Sequence, residues 1–437
     1  MLEHAAKIAS VPPSRSLVLF VASNTPESLE AYLGFLQKRI VPLMVDASIK
    51  QDAFCALLDQ YQPEYVWAPE SFAYEGTIVH SFGAYRLYRT EFSSELALYP
   101  ELALLLTTSG STGSKKYVRL SYENIKANAL SIAQYLSIQQ SDRAITTLPF
   151  SYSYGLSIIN SHLISRASLV LTDKSLFDRE FWTVMKESSA TSFGGVPYTY
   201  AMLKRLRFER MDLPALRYIT QAGGHLDEGL QEEFAEICLA KDIDFFVMYG
   251  QTEGTARLSY LPAQYASKKI GSIGIAIPGG SLYLIDDEGE KITKPNTPGE
   301  LFYQGANVSL GYAEKREDLA RADTRLGVLE TGDLASFDED GFFKIVGRKK
   351  RFLKVFGNRV NLDELEQLLH SAGYQAACAG FDDNVLIFIE QGDVSEIKAF
   401  VSSQVGLNKS AFDVRSIKKI PRNEAGKILY SELEALC

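Results

Sequence analysis

The 437-residue chain has little of several features that would point to other functions. Its 4 cysteines, Cys55, Cys238, Cys378 and Cys437, stand far apart with no C-x-x-C pair, which argues against a disulfide framework or thiolate metal site. A reducing cytoplasmic setting is the natural expectation. The 5 histidines are scattered with no H-x-x-x-H pair, so a protein-held transition metal has no basis in the sequence. No apolar run approaches the roughly 20 residues of a membrane span, and Met1 to Ser16 lacks a signal-peptide core. A basic excess is missing too. Net charge is −9 and the one compact basic run is Lys349-Lys350-Arg351, so a nucleic-acid partner finds little support. The remaining composition is that of an ordinary soluble protein, too long for one core, and two or three domains are expected.

The most informative feature present is Thr108-Ser109-Gly110-Ser111-Thr112-Gly113-Ser114-Lys115-Lys116-Tyr117, which follows the apolar run Leu102 to Leu106. A strand leading into small, hydroxylated, glycine-spaced residues and then lysines supplies many free N–H and O–H donors, the chemistry that wraps a polyphosphate. It is not a P-loop of the G-x-x-x-x-G-K-[ST] type, because no Ser or Thr follows the lysines. Nor is Ser111 a G-x-S-x-G nucleophile elbow, since position 109 is Ser. Alone, such a loop is as often a solvated turn as a phosphate cradle.

Four further segments occur in order along the chain: Tyr249-Gly250-Gln251-Thr252-Glu253; Thr331-Gly332-Asp333; Gly347-Arg348 with the basic run to Gly357; and Pro421-Arg422-Asn423-Glu424-Ala425-Gly426-Lys427. Together with the Thr108 loop, the series resembles the adenylate-forming superfamily of acyl- and aryl-CoA synthetases, peptide-synthetase adenylation domains and luciferase. The resemblance runs from about Leu17 to the end.

Strand-like and helical runs alternate through the first half: Leu17 to Ala22 then Pro26 to Lys38, Leu102 to Thr107 then Ser121 to Leu136, Ser168 to Thr172 then Asp178 to Lys186. This predicts an α/β fold with mostly parallel sheets flanked by helices. From about Gly271, glycines and prolines separate short strands, as in the hairpin pattern from Gly279 to Gly289, and a β-rich subdomain is expected. After Gly347 the pattern becomes a small α+β module. The expected division is an N-terminal domain over 1–347, β-rich from about 271, and a mobile C-terminal domain over 348–437. Relative to the family, the first ~50 residues before the segment resembling Val18 to Pro42 are missing, so a compact member is expected. Helices left uncovered there would form a homodimer interface or expose apolar surface.

The resemblance implies a reaction in two halves. A carboxylate attacks the α-phosphate of ATP, releasing pyrophosphate, and then the thiol of coenzyme A or of a carrier-protein phosphopantetheine displaces AMP. Such chemistry needs positioning and charge neutralisation rather than a protein nucleophile. Thr108, Ser109, Gly110, Ser111, Thr112, Gly113 and Lys116 are implied as the phosphate cradle. Lys115 and Tyr117 depart from the family, which usually has Pro and Gly there. Glu253 is implied as the Mg²⁺ carboxylate, Thr252 as an α-phosphate contact, and Tyr249 with Gly250 as the adenine wall. Gly223 and Gly224 match backbone lining the adenine and acyl sites, Asp333 the ribose carboxylate, and Arg348 its neighbouring cation. Lys427 resembles the lysine delivered to the α-phosphate during adenylation. Lys350 takes the hinge position, and Gly357 would face the pantetheine tunnel after rotation.

The acid pocket is expected among Tyr152, Ser153, Tyr154, Phe193, Gly194, Gly195 and Gln221. No Asp or Glu lies between Ala144 and Ala167, so a substrate ammonium would be buried without a partner. An aryl or acyl carboxylic acid is therefore preferred. Alternatives are an enzyme that passes the adenylate only to a carrier protein or an amine, and a catalytically inactive ligand-binding relative.

Overall fold

The computed structural model describes residues 2–93, 96–107, 116–356, 358–381, 383–422 and 428–436. Among the described residues the chain forms two compact units, one of 2–107, 116–282 and 303–329, the other of 283–302 and 330–436. The boundary expected at residue 347 falls inside the second unit.

The first unit holds an eight-stranded and a seven-stranded sheet. Leu17–Ala22 is buried at every position, the pattern of a strand covered on both faces, and it pairs in parallel with Val41–Asp46 and Tyr65–Pro69. Leu102–Thr107 continues the parallel set beside Val41–Asp46. The edges are antiparallel, because Thr77–Phe82 and Tyr85–Arg89 form a tight hairpin and Tyr117–Ser121 folds back on Leu102–Thr107. The sheets are thus mixed, with parallel centres, where alternation alone predicts mostly parallel ones. Helix starts follow their capping residues. Thr25 accepts the Ser28 N–H ahead of Pro26–Gln37, and Ser121 with Asn124 forms a capping box for Tyr122–Tyr135.

The seven-stranded sheet positions the candidate site. Its strands Ser168–Val170, Arg143–Ile145, Ser192–Gly195, Tyr218–Gln221 and Asp244–Tyr249 are successively parallel neighbours. Gly194 lies opposite Thr220, Gly195 opposite Gln221, and Gln221 opposite Val247, so the carboxyl ends share one edge. In open α/β sheets that edge is where ligands bind.

The second unit holds most of a five-stranded sheet, including the antiparallel pair Val328–Phe337 and Phe343–Arg348. It continues into a two-stranded sheet and then a three-stranded sheet of Ala376–Phe381, Asn384–Ile389 and Phe412–Ser416. Helices Leu362–Ser371 and Val394–Val405 contribute Leu365, Leu369, Ile397 and Val401 to its core. Arg351 is a polar tie in this unit. Its guanidinium meets Asp363 at 2.5 Å and Glu366 at 2.6 Å, and stacks 3.8 Å from the Tyr430 ring centroid. Glu366 also accepts the Cys378 N–H and the Tyr430 hydroxyl. Burial pushes the Glu366 carboxyl up, opposed chiefly by Arg351. Removing one partner of such a pair typically costs about 3–5 kcal/mol. Arg351→Met should therefore bring the second unit's urea transition to clearly lower denaturant, followed by far-UV circular dichroism, and an unshifted transition would contradict the role given to this tie.

Candidate nucleotide and acid site

At the carboxyl end of Asp244–Tyr249 the chain turns through Gly250 and Gln251 into a short 3₁₀ helix, Thr252–Gly254. A Cβ at Gly250 would collide with the Ala256 carbonyl, so the turn closes only with glycine there. Gln251 Nε2 donates to the Tyr249 hydroxyl at 3.2 Å. Thr252 is buried, and its hydroxyl lies 3.1 Å from that of Ser153 at the start of helix Ser153–Ile164. Thr252, expected from sequence at the nucleotide, and Ser153, expected at the acid, thus meet directly.

Glu253 is held from a distant segment. Tyr312 donates its hydroxyl to Glu253 Oε1 at 2.6 Å, while the Ser309 N–H donates to the Glu253 carbonyl at 2.8 Å. Burial, and then the Glu253 carboxylate, pushes the Tyr312 hydroxyl up to about 12, so it keeps its proton and donates through the neutral range. The Lys116 ammonium pairs with Glu314 at 3.1 Å and lies 5.8 Å from the Tyr312 ring centroid, with the Arg325 guanidinium 5.0 Å from the same ring. This cluster exists because Tyr312–Ala313 pairs antiparallel with Tyr117–Ser121, setting Tyr312 opposite Val118. Tyr312, Glu314 and Arg325 escape a motif reading. Their only local signal is Gly311-Tyr312, and Glu253 and Lys116, the partners of Tyr312 and Glu314, lie more than 50 residues away. Tyr117, a departure from the family pattern, is the first residue of its strand, with its ring buried edge-on to Tyr61. Its bulk serves the core.

The residues expected to wall the acid lie on the same unit. Phe193 and Tyr154 are buried, and the Tyr154 hydroxyl donates to the Thr220 carbonyl at 2.9 Å. A Cβ at Gly194 would sit 2.9 Å from the Tyr154 hydroxyl oxygen and 2.7 Å from Ile158 Cδ1, so the ring packs against bare backbone. Tyr152 packs likewise toward Gly223, and Gln221 Nε2 donates to the Gly224 carbonyl at 3.0 Å. Gly195 ends the neighbouring strand. Arg257, which the sequence reading did not select, is 2% exposed and stacks 4.1 Å from the Tyr154 ring centroid.

In the second unit, strand register sets Asp333 opposite Arg348, with the guanidinium Nε 3.4 Å from the Asp333 carboxylate. Asp333 therefore belongs to a strand ladder and is more than the end of a turn. Lys350 lies in a single 3₁₀ turn, Lys349–Arg351, whose flanking side chains are tied to Glu300 and to Asp363 with Glu366. The phosphate-loop residues Thr108, Ser109, Gly110, Ser111, Thr112 and Gly113 lie outside the described residues, as do Gly357 and Lys427.

Among the described residues no group of three or more His, Cys, Asp or Glu side chains could hold a metal ion. Glu253 alone fits a Mg²⁺ that arrives on a polyphosphate and keeps most of its waters, since such an ion generally takes one or two protein carboxylates. Overfilling a closed turn generally costs about 1–3 kcal/mol, so Gly250→Ala should lower the first unit's urea midpoint accordingly. A midpoint equal to the parent's would show that the turn relaxes freely around the added methyl.

The model of the AMP-binding enzyme family matches residues 12–313. A 2-succinylbenzoate–CoA ligase of Geobacillus sp. (strain WCH70) is 28% identical over 357 residues, covering 77% of this chain and 70% of the relative. A long-chain-fatty-acid–CoA ligase of Bacillus subtilis (strain 168) is 26% identical over 375 residues, covering 81% and 66%. Among solved structures, the O-succinylbenzoate coenzyme A synthetase (MenE) from Bacillus subtilis with AMP superposes at a TM-score of 0.79 and 21% identity, over 99% of this chain and 92% of that one. The same enzyme with ATP and magnesium gives 0.78 at 21% identity, over 99% and 92%. ATP-bound MatB from Rhodopseudomonas palustris gives 0.76 at 20%, over 100% and 92%. These likenesses fix the α/β fold. With the family model covering well over half of its length, the chain belongs to the AMP-binding enzyme family, within the adenylate-forming superfamily.

Proposed function

We propose that the chain is an AMP-forming acid–thiol ligase of the acyl- or aryl-CoA synthetase type. The observation that carries this reading is the joining of Thr252 and Glu253 to Ser153, Tyr312 and Lys116 within one unit, beside a glycine-lined acid wall. In the first half-reaction a substrate carboxylate oxygen bonds to the α-phosphorus of ATP as pyrophosphate leaves. In the second, a thiol sulfur bonds to the acyl carbon as AMP leaves. Mg²⁺ carried on ATP would neutralise charge on the departing pyrophosphate. Glu253 would share that ion, held in place by Tyr312. Thr252 would orient the α-phosphate, Lys116 and the 108–113 loop would hold the outer phosphates, and Asp333 with Arg348 would bind the ribose. Tyr249, Gly250, Gly223 and Gly224 would line the adenine.

The acid itself is read as one without an α-ammonium, because Arg257 gives the base of the pocket a positive charge that would repel it. Coenzyme A or carrier-protein phosphopantetheine would supply the thiol, and comparing the two as acceptors discriminates between them. Unbridged Cys55, Cys238 and Cys378 suit a cytoplasmic, reducing setting. Acid-dependent exchange of labelled pyrophosphate into ATP tests the reading, and no exchange across a broad panel of carboxylic acids would reject it.

The C-terminal module from residue 348 is proposed to alternate between half-reactions about Lys350, bringing Lys427 for adenylation and Gly357 for thiol transfer. Lys427→Ala should then lose adenylation, by about 2.7–4 kcal/mol in the barrier, while thioester formation from supplied acyl-adenylate persists. Lys350→Pro, with φ fixed near −65°, should show the opposite split, keeping exchange and losing thioester. Equal losses in both halves for either variant contradict the alternation.

Glu253→Gln removes one ligand charge and should move the Mg²⁺ dependence of exchange to higher concentration. A titration superimposing on the parent's would take Glu253 out of the metal's coordination.

A further inference from the structure

The acid wall belongs wholly to the first unit, and its floor is a single ring. The carboxyl ends of Ser192–Gly195 and Tyr218–Gln221 form the mouth, so depth runs back along the strands toward Ser192 and Tyr218. Tyr154 lies across that path. It is 2% exposed, with its hydroxyl on the Thr220 carbonyl at 2.9 Å and 2.7 Å from the Thr220 hydroxyl. Its edge lies against Gly194, where a Cβ would stand 2.9 Å from the hydroxyl oxygen. Arg257 covers the ring face at 4.1 Å and is anchored by the Ser157 hydroxyl at 3.3 Å and the Ala256 carbonyl at 3.2 Å. Among the described residues, the cavity next to these partners of the ring measures about 10 Å³ and is lined partly by Ile158, Phe193, Thr220, Met248 and Arg257. That is room for about one water molecule.

An alkyl chain entering from the mouth would have to displace a ring held by hydrogen bonds, a stacked cation and close backbone contact. The space behind offers it no volume for a chain, although much of its lining is apolar. A carbon skeleton ending above the ring meets no such obstacle. We propose that Tyr154 is the specificity-determining floor of the acid pocket, admitting short-chain or single-ring carboxylic acids and excluding extended alkyl chains. This rests on the ligase reading above, and it narrows the substrate class.

Binding of non-hydrolysable acyl-adenylate mimics to the full chain tests it without turnover. Butanoyl- and dodecanoyl-sulfamoyl adenosine are titrated calorimetrically into the parent, Tyr154→Phe and Tyr154→Ala, with Tyr154→Leu in reserve should the alanine variant misfold. The parent should prefer the butanoyl mimic by at least ~100-fold. Tyr154→Phe, which keeps the ring, should retain the preference. Tyr154→Ala or Tyr154→Leu should narrow it at least ~10-fold by gaining affinity for the dodecanoyl mimic. Equal binding of both mimics to the parent overturns the floor while leaving the ligase reading intact, as does an unchanged preference in a folded Ala or Leu variant. If neither mimic binds the parent, the ligase reading itself falls and takes this inference with it.

Discussion

The site in the first unit depends on the parallel register of three strands, Ser192–Gly195, Tyr218–Gln221 and Asp244–Tyr249. With Gly194 opposite Thr220 and Gln221 opposite Val247, the ends carrying Gly194, Gln221 and Tyr249 emerge together. A slip of one residue would turn every side chain to the other face. Tyr154 would then lose its hydrogen bond to Thr220, and the Gly250 turn would no longer set Thr252 beside Ser153. The buried apolar pattern of these strands resists such a slip. Phe193 and Ile219, side by side in the register, are both inaccessible.

A second constraint is electrostatic. Glu253, Lys116, Glu314 and Arg325 gather around one tyrosine, with charges of both signs interleaved. The phenol holds the Glu253 carboxylate in one orientation without neutralising it, which leaves its charge available to a cation. Arg257 differs in kind. Its charge is 2% exposed, and its near neighbours are the Tyr154 ring, a methionine sulfur, a hydroxyl and a carbonyl. A guanidinium tolerates that setting because it is planar, weakly hydrated and stacks well.

Much of the fold was readable from local pattern. The continuous apolar run Leu17–Ala22, the Thr25-Pro26 start of the next helix, and the hairpin of Gly280–Ile285 with Lys291–Ile292 carry their signals within a few residues. The antiparallel edges were less legible, since a strand's direction depends on which partner it finds. Ordered motifs likewise named Thr252, Glu253, Asp333 and Arg348, and cross-strand register brings the last two together. The Tyr312 to Glu253 hydrogen bond and the Arg257 to Tyr154 stack were invisible in the sequence. They join segments 59 residues apart in the first case, and arise from strand pairing and core packing that no local spacing records. Tyr117 shows the converse. Its place in a phosphate-loop motif suggested a loop role, whereas its side chain answers to Tyr61 in the core.

The proposed ligase activity turns on one bond, between the carboxylate of an acid and the α-phosphate of ATP. Supplying the acid with heavy oxygen in its carboxyl group, together with ATP, Mg²⁺ and coenzyme A, and then weighing the nucleotide product by mass spectrometry, tests that bond directly. AMP should carry one heavy oxygen, passed from carboxylate to phosphate when the thiol displaces it. Heavy oxygen in inorganic phosphate with ADP as the nucleotide product, or unlabelled AMP beside a formed thioester, would contradict it.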